Sequence, residues 1–180
     1  MGAFKPLLPF GKTTVIQSCL DYLGLENIVV VLGHRADEIR KHLKDVTIAI
    51  NPDPHSEMGA SIAIGIQAVS AKAVIIALVD HPAVPSTIVS RLIAEWQNGA
   101  RIVIPTWQNR GGHPVLIDLS FRAELLSLDQ TGGLRSFFQN HAEEVHRLPV
   151  DSPFVARDMD TWDDYLALHK EAFGYPPPEL

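Results

Sequence analysis

The chain has 180 residues, 46% hydrophobic and 20% charged, with a net charge of -6 and a pI near 5.7. That length suits one domain with a single sizeable core and is short for two. The acidic balance argues against a sequence-independent nucleic-acid binder, which needs a basic face to neutralise phosphates.

Cys19 is the only cysteine, so no intrachain disulfide and no cysteine-based zinc site can form, and a reduced, cytoplasmic setting is expected. No apolar run approaches the ~18 residues that a membrane span needs. Lys5 followed by Leu7 and Leu8 is too short for a signal-peptide core.

In chain order, residues 1–10 form an apolar stretch with one lysine, read on their own as a docking arm. Gly11-Lys12-Thr13 imitates the end of a P-loop, but Pro6 stands where that motif needs its first glycine and no strand precedes it. Thr13 or Thr14 as a helix N-cap explains the segment better. Val15, Ile16, Cys19, Leu20 and Leu23 then share one helical face, which Gly24 stops. Residues 28–32, 46–50, 73–79 and 101–105 are apolar runs rich in β-branched side chains. They read as parallel strands covered on both faces.

Asn51-Pro52 is a turn, and residues 58–65 enter a helix in which Ser61 and Gly65 permit close packing. A second amphipathic helix carries Ile88, Val89, Leu92, Ile93 and Trp96 and ends before Gly99. Gly111-Gly112 breaks the chain ahead of a short strand at 113–117, and a helix follows at 121–128. After Gly132-Gly133 come a helix at 134–141, a strand at 145–148 and a last helix at 162–173. This alternation predicts an α/β fold, mostly parallel, with right-handed crossovers. One domain is expected over residues 1–175, with 176–180 a frayed tail.

Asp80 ends the most apolar strand. Its bland reading is a turn residue or a cap for the helix near Pro85. Its functional reading is a metal ligand, because ligands gather at the carboxyl ends of parallel strands and one carboxylate there can hold Mg²⁺. Asp158, Asp160, Asp163 and Asp164 cluster late in the chain, where cap and first-turn roles suffice for Asp163 and Asp164. His113 sits in a turn, where a lone histidine is usually structural. Arg135 opens a helix whose N-terminus suits an anion.

Several of these segments resemble, in order, the MobA-like nucleotidyltransferases of the molybdenum-cofactor cytidylyltransferase type. Met1-Gly2-Ala3-Phe4-Lys5-Pro6-Leu7-Leu8 is similar to the second half of the signature L-A-A-G-x-S-x-R-M-G-x-x-K-x-L-L. Leu78-Val79-Asp80-His81-Pro82 resembles L-V-D-x-P, and Asn51-Pro52 with Met58-Gly59-Ala60-Ser61 to Gly65 resembles N-P…G-M-x-x-S-l-x-x-G. Glu57 stands where that motif has glycine. Gly112-His113-Pro114-Val115-Leu116 resembles G-H-P-V-L, and Asp158-Met159-Asp160-Thr161 resembles D-I-D-T, with Trp162 in place of the usual proline.

The resemblance implies a three-layer α/β/α nucleotidyltransferase fold and Mg²⁺-dependent transfer from CTP to molybdopterin. It places Gly2 and Lys5 on the triphosphate, and Asn51, Ser61 and Gly65 on the base and ribose. Asp80 and Asp160 fall on the metal, and Gly112, His113, Pro114 and Arg135 on the acceptor. A molybdoenzyme or its chaperone is an implied partner. The match opens inside the glycine-rich signature, so the preceding strand and loop are expected to be missing. Weak triphosphate binding and two unpaired neighbouring strands should follow. A sugar nucleotidyltransferase, a glycosyltransferase of related fold and a domain with little activity are the competing readings.

Overall fold

The computed structural model describes residues 4–53, 55–128 and 132–178. After a single 3-10 turn at Lys5–Leu7, β1 (Pro9–Phe10) pairs antiparallel with β2 (Thr13–Thr14). Gly11 makes the turn between them at φ +62, and a Cβ there would lie 2.6 Å from the Phe173 ring. Gly11-Lys12-Thr13 is therefore a hairpin turn rather than a phosphate loop. Thr14 caps α1 (Val15–Leu23) by accepting from the Gln17 amide, and Gly24 closes the helix in the left-handed region.

β3 (Val29–Leu32) runs parallel to β4 (Thr47–Ile50), as their patterning predicts. Between them lies a one-turn helix, α2 (Ala36–Arg40), with only Ile39 buried. α3 (Met58–Gln67) leads to β5 (Ala73–Ile76), and α4 (Ser86–Gln97) to β6 (Ile102–Trp107). β7 (Arg110–Gly111) and β8 (Val115–Asp118) follow. The segment expected as one helix at 121–128 divides into a 3-10 turn at Leu119–Phe121 and the short α5 (Arg122–Leu125). Asp118 caps that turn by accepting from the Ser120 amide. α6 (Gly133–Asn140), β9 (Val145–Pro149) and α7 (Trp162–Phe173) complete the chain.

The larger sheet runs β5-β8-β6, with β7 and β9 each paired to β6. β8 is antiparallel to both β5 and β6, so these two share a direction, and β9 runs parallel to β6. β8 is thus reversed between two strands of one direction, and the two-residue β7 at the edge is also antiparallel to β6.

Side-chain alternation along β6 and β8 explains the layers. Val103 and Leu116 join Cys19 and Tyr22 of α1 and Ile88, Val89 and Leu92 of α4. Ile102, Ile104, Val115 and Ile117 face the other way, onto Ile62 and Ile66 of α3, Leu125 of α5 and Leu134 and Phe137 of α6. Helices therefore cover both faces of the sheet, which is the predicted α/β/α arrangement.

β3 and β5 depart from the buried-strand expectation. Their residues are mostly half-buried, and both line one cavity of about 1140 Å³ together with Leu20, Ile62 and Ile66. The edge of β3 away from β4, and that of β5 away from β8, pair with no strand among the described residues.

Candidate active site

Asp80 stands just beyond the carboxyl end of β5, in a segment fastened to α1. Ser18 Oγ donates to the Pro82 carbonyl at 2.8 Å, and the Cys19 thiol faces the carbonyls of Leu78 and Val79 at 3.8 and 3.7 Å. The His81 amide closes the turn on the Leu78 carbonyl at 3.3 Å. Asp80 is no helix cap, because Pro85 holds the N-cap of α4 without a side-chain bond. Its Oδ1 is buried with no hydrogen-bond partner among the described residues. Burial raises its pKa above the ordinary carboxylate value; nearby His81 and Lys5 lower it, and Asp160 raises it.

Lys5 and Asp160 meet across 155 residues of sequence, with Nζ 2.9 Å from Oδ1. Asp160 is 68% exposed and Lys5 28%, so the pair contributes under about 1 kcal/mol to stability. Its importance is placement. Two contacts dock the N-terminal hairpin on α7. Tyr165 Oη donates to the Pro9 carbonyl at 2.7 Å, and the Gly11 amide donates to His169 Nε2 at 3.1 Å. At the start of α7, Thr161 and Asp164 form a reciprocal capping box. Asp164 thus fills the cap role read from the sequence, Trp162 begins the helix without the usual proline, and Asp160 faces Lys5.

Gly112 and His113 approach the same place from another direction. The Gly112 amide donates to Pro105 and the His113 amide to Val155, at 2.9 and 2.8 Å, ahead of a cis His113–Pro114 bond. The His113 ring stands 5.3 Å from the His81 ring, which joins the Gly112-His113-Pro114 loop to the Asp80 segment.

Burial pushes the His113 pKa down to about 4 from 6.5, helped by His81 and opposed by the Ile76 carbonyl. A folded value below the unfolded one means that the unfolded chain takes up this proton first on acidification. The stability contribution is full above pH 6.5 and declines as pH falls towards 4. Thermal melts between pH 7.5 and 4.5 should therefore show a shallower decline for His113→Gln than for the unsubstituted protein. Equal slopes would contradict this.

Asn51, at the carboxyl end of β4, gathers a second cluster. Its Nδ2 donates to Ser56 Oγ and Ser61 Oγ, both at 2.9 Å, and its Oδ1 accepts from the Asp53 amide. Ser61 is thereby tied to Asn51 at the beginning of α3. Glu57 occupies the N-cap position of α3 in extended conformation with no side-chain cap. Gly65 serves packing, since a Cβ there would lie 3.1 Å from Val31. Arg135 lies on the exposed side of α6, and no hydrogen bond or ion pair ties it to either cluster among the described residues. Gly2 lies outside the described residues.

Lys5, Asp80, Asp160 and His113 are thus drawn together, while Asn51 and Ser61 gather at the end of β4 and Gly65 packs apart from them on Val31. His81 is the residue that sequence reading passed over. Its signal was adjacency to Asp80, at a position that the motif leaves open.

Residues 1–145 match the MobA-like NTP transferase domain. The chain belongs to that family. This MobA-like chain is 29% identical over 178 residues to nicotine blue oxidoreductase of Paenarthrobacter nicotinovorans, covering 91% of this chain and 87% of that one. It is similar to the crystal structure of an Rv0371c homologue from Mycobacterium sp. strain JC1, with TM-score 0.83 and 27% identity over 96% of this chain and 89% of that one. Rv0371c of Mycobacterium tuberculosis H37Rv in complex with manganese gives TM-score 0.75 and 27% identity, with 94% and 93% covered. The MobA-like domain accounts for the α/β nucleotidyltransferase fold and makes the chain a member of a nucleotidyltransferase family. No described helix is long and apolar enough to cross a membrane.

Proposed function

We propose that this protein transfers a nucleotidyl group from CTP to a phosphate oxygen of a molybdopterin-type acceptor. The acceptor oxygen forms a bond to the α-phosphorus, the bond from that phosphorus to the β-phosphate bridge breaks, and pyrophosphate leaves. The observation that carries this reading is the meeting of Lys5, Asp80 and Asp160 beyond the end of β5. CTP and molybdopterin are chosen because the Leu78 to Pro82 and Gly112 to Pro114 motifs resemble the cytidylyl branch.

The residues fit a divalent cation. The buried Asp80 Oδ1 has no hydrogen-bond partner among the described residues, and Asp160 adds a second oxygen donor, as Mg²⁺ prefers. Among the described residues no group of three or more His, Cys, Asp or Glu is arranged to hold an ion. Phosphate oxygens would therefore complete the coordination. The relative solved with manganese supports a divalent requirement. When bound, the cation neutralises the triphosphate and polarises the α-phosphate. Lys5 adds positive charge on the same side. His113, neutral at pH 7, borders the acceptor without adding charge to it. No covalent nucleophile is needed, because positioning and charge neutralisation carry the step.

The test is transfer of label from α-³²P nucleotides to molybdopterin, with pyrophosphate release followed in parallel. Asp80→Asn is expected to lower turnover about 100-fold or more while leaving the melting temperature close to that of the unsubstituted protein. Retained turnover with unchanged metal dependence would remove Asp80 from the site. The similarity to nicotine blue oxidoreductase supports a second reading, a redox enzyme on the same fold. Oxidation of a reduced nicotinamide nucleotide without pyrophosphate release would favour it.

A further inference from the structure

His81 lies beside the carboxylate that organises the site, and nothing described so far uses it. Its Nε2 is 3.7 Å from Asp80 Oδ1. The ring is held firmly: the side chain is 8% exposed, the backbone amide is bound to Leu78, and the ring packs on His113. Three polar atoms in this small region are buried without partners among the described residues: Asp80 Oδ1, His81 Nδ1 and His113 Nδ1. Buried polar atoms are ordinarily paired, so three together point to a ligand.

We propose that His81 is a nitrogen donor to the divalent cation held by Asp80, so that the site selects a first-row transition ion over Mg²⁺. The inference rests on the nucleotidyltransferase reading of Asp80.

Two donors each about 2.1 Å from one ion stand about 3.0 Å apart at right angles and about 4.2 Å apart when opposed. The 3.7 Å between Nε2 and Oδ1 lies between these limits, so one ion can bridge the two atoms with a sub-ångström adjustment. Oδ1 then gains its missing partner. With Nε2 on the ion, the ring carries its proton on Nδ1, and metal-bound histidines are commonly oriented by what that second nitrogen meets. The neighbouring His113 Nδ1 is likewise buried without a partner among the described residues. An imidazole donor suits first-row transition ions, later ones such as Co²⁺ and Zn²⁺ more strongly than Mn²⁺, whereas Mg²⁺ prefers oxygen alone.

The experiment adds Mn²⁺ to the full chain and reads electron spin-echo envelope modulation, with metal affinities from competition calorimetry. Directly coordinated nitrogen is expected in the unsubstituted protein and absent in His81→Gln. Preference for Mn²⁺ over Mg²⁺ should be at least tenfold and fall at least fivefold in His81→Gln. His81→Asn provides a smaller replacement should the glutamine not fit. Nitrogen coupling that persists in a folded His81 variant overturns the proposal. Manganese bound without nitrogen coupling, but lost in Asp80→Asn, overturns the role of His81 and leaves the Asp80 site standing. Manganese that does not bind, or that binds equally well to Asp80→Asn, overturns both.

Discussion

A synthetic peptide of about six alternating valine and isoleucine residues, flanked by lysines for solubility, is expected to raise the melting temperature by about 5–10 °C. The cavity between β3 and β5 is the reason. Both strands present an unpaired edge to it, and α1 and α3 supply apolar walls through Leu20, Ile62 and Ile66. An extended strand entering there can hydrogen-bond on both sides and bury its side chains against both layers. A six-residue strand is about 20 Å long. At 100 times its dissociation constant, a ligand of the folded state alone stabilises by about 2.7 kcal/mol. For a chain of this size each kcal/mol moves the midpoint by about 2–4 °C. Calorimetric melts with and without the peptide measure the effect. An equal shift from a polar peptide of the same length and charge would show that the cavity does not select a strand.

Gly112→Ala is expected to destabilise the fold by about 2–4 kcal/mol and to disturb the site at the same time. A Cβ at Gly112 would lie 2.0 Å from the Val155 carbonyl oxygen and 2.4 Å from its carbon. Both are backbone atoms, so no rotamer change relieves the clash. The loop must withdraw from residues 153–156, breaking the bond from the His113 amide to Val155 and moving the His113 ring away from His81. Gly111→Ala is the control, because its Cβ would meet only side chains at ordinary contact distance, Ile104 at 3.4 Å and Arg147 at 3.8 Å. Chemical denaturation should separate the two variants by at least about 2 kcal/mol. Similar midpoints would show that the Val155 backbone yields.

Much of the fold was legible because it rests on local rules. Residues 162–173 read as a helix, and the structure has α7 at Trp162–Phe173, opened by the Thr161 box and closed by Gly174. The apolar runs marked β3, β4, β5 and β6, although β5 stops at Ile76 rather than Val79. Nothing in the sequence revealed that β8 runs against its neighbours, because its short apolar run, Val115 to Ile117, has the same continuous hydrophobicity as the parallel strands. The half-burial of β3 and β5 was equally hidden, since patterning records what a strand prefers rather than what lies beside it. α2 escaped notice because one turn around Ile39 leaves too little periodicity to see.

For the site, motif order singled out Asp80, Asp160, Lys5 and His113, and their meeting depends on long-range docking. His81 carried no periodic or motif signal at all. Beyond its adjacency to Asp80 in sequence, its interest lies in the 3.7 Å to Asp80 Oδ1 and in the ring beside it. Gly65 illustrates the reverse: its motif position suggested a nucleotide, and its nearest neighbour is Val31.

The clasp of the N-terminal hairpin on α7 bears on the order of folding. Tyr165 reaches Pro9, His169 reaches Gly11, and Lys5 reaches Asp160. Contacts so distant in sequence require closing a loop of nearly the whole chain, which is entropically costly and late. A nascent chain still lacking its last helix can build the central sheet, but it holds Lys5 apart from Asp160. Assembly of the charged pair therefore waits for the synthesis of α7, and a molecule that still lacks this helix carries Lys5 without its place beside Asp160.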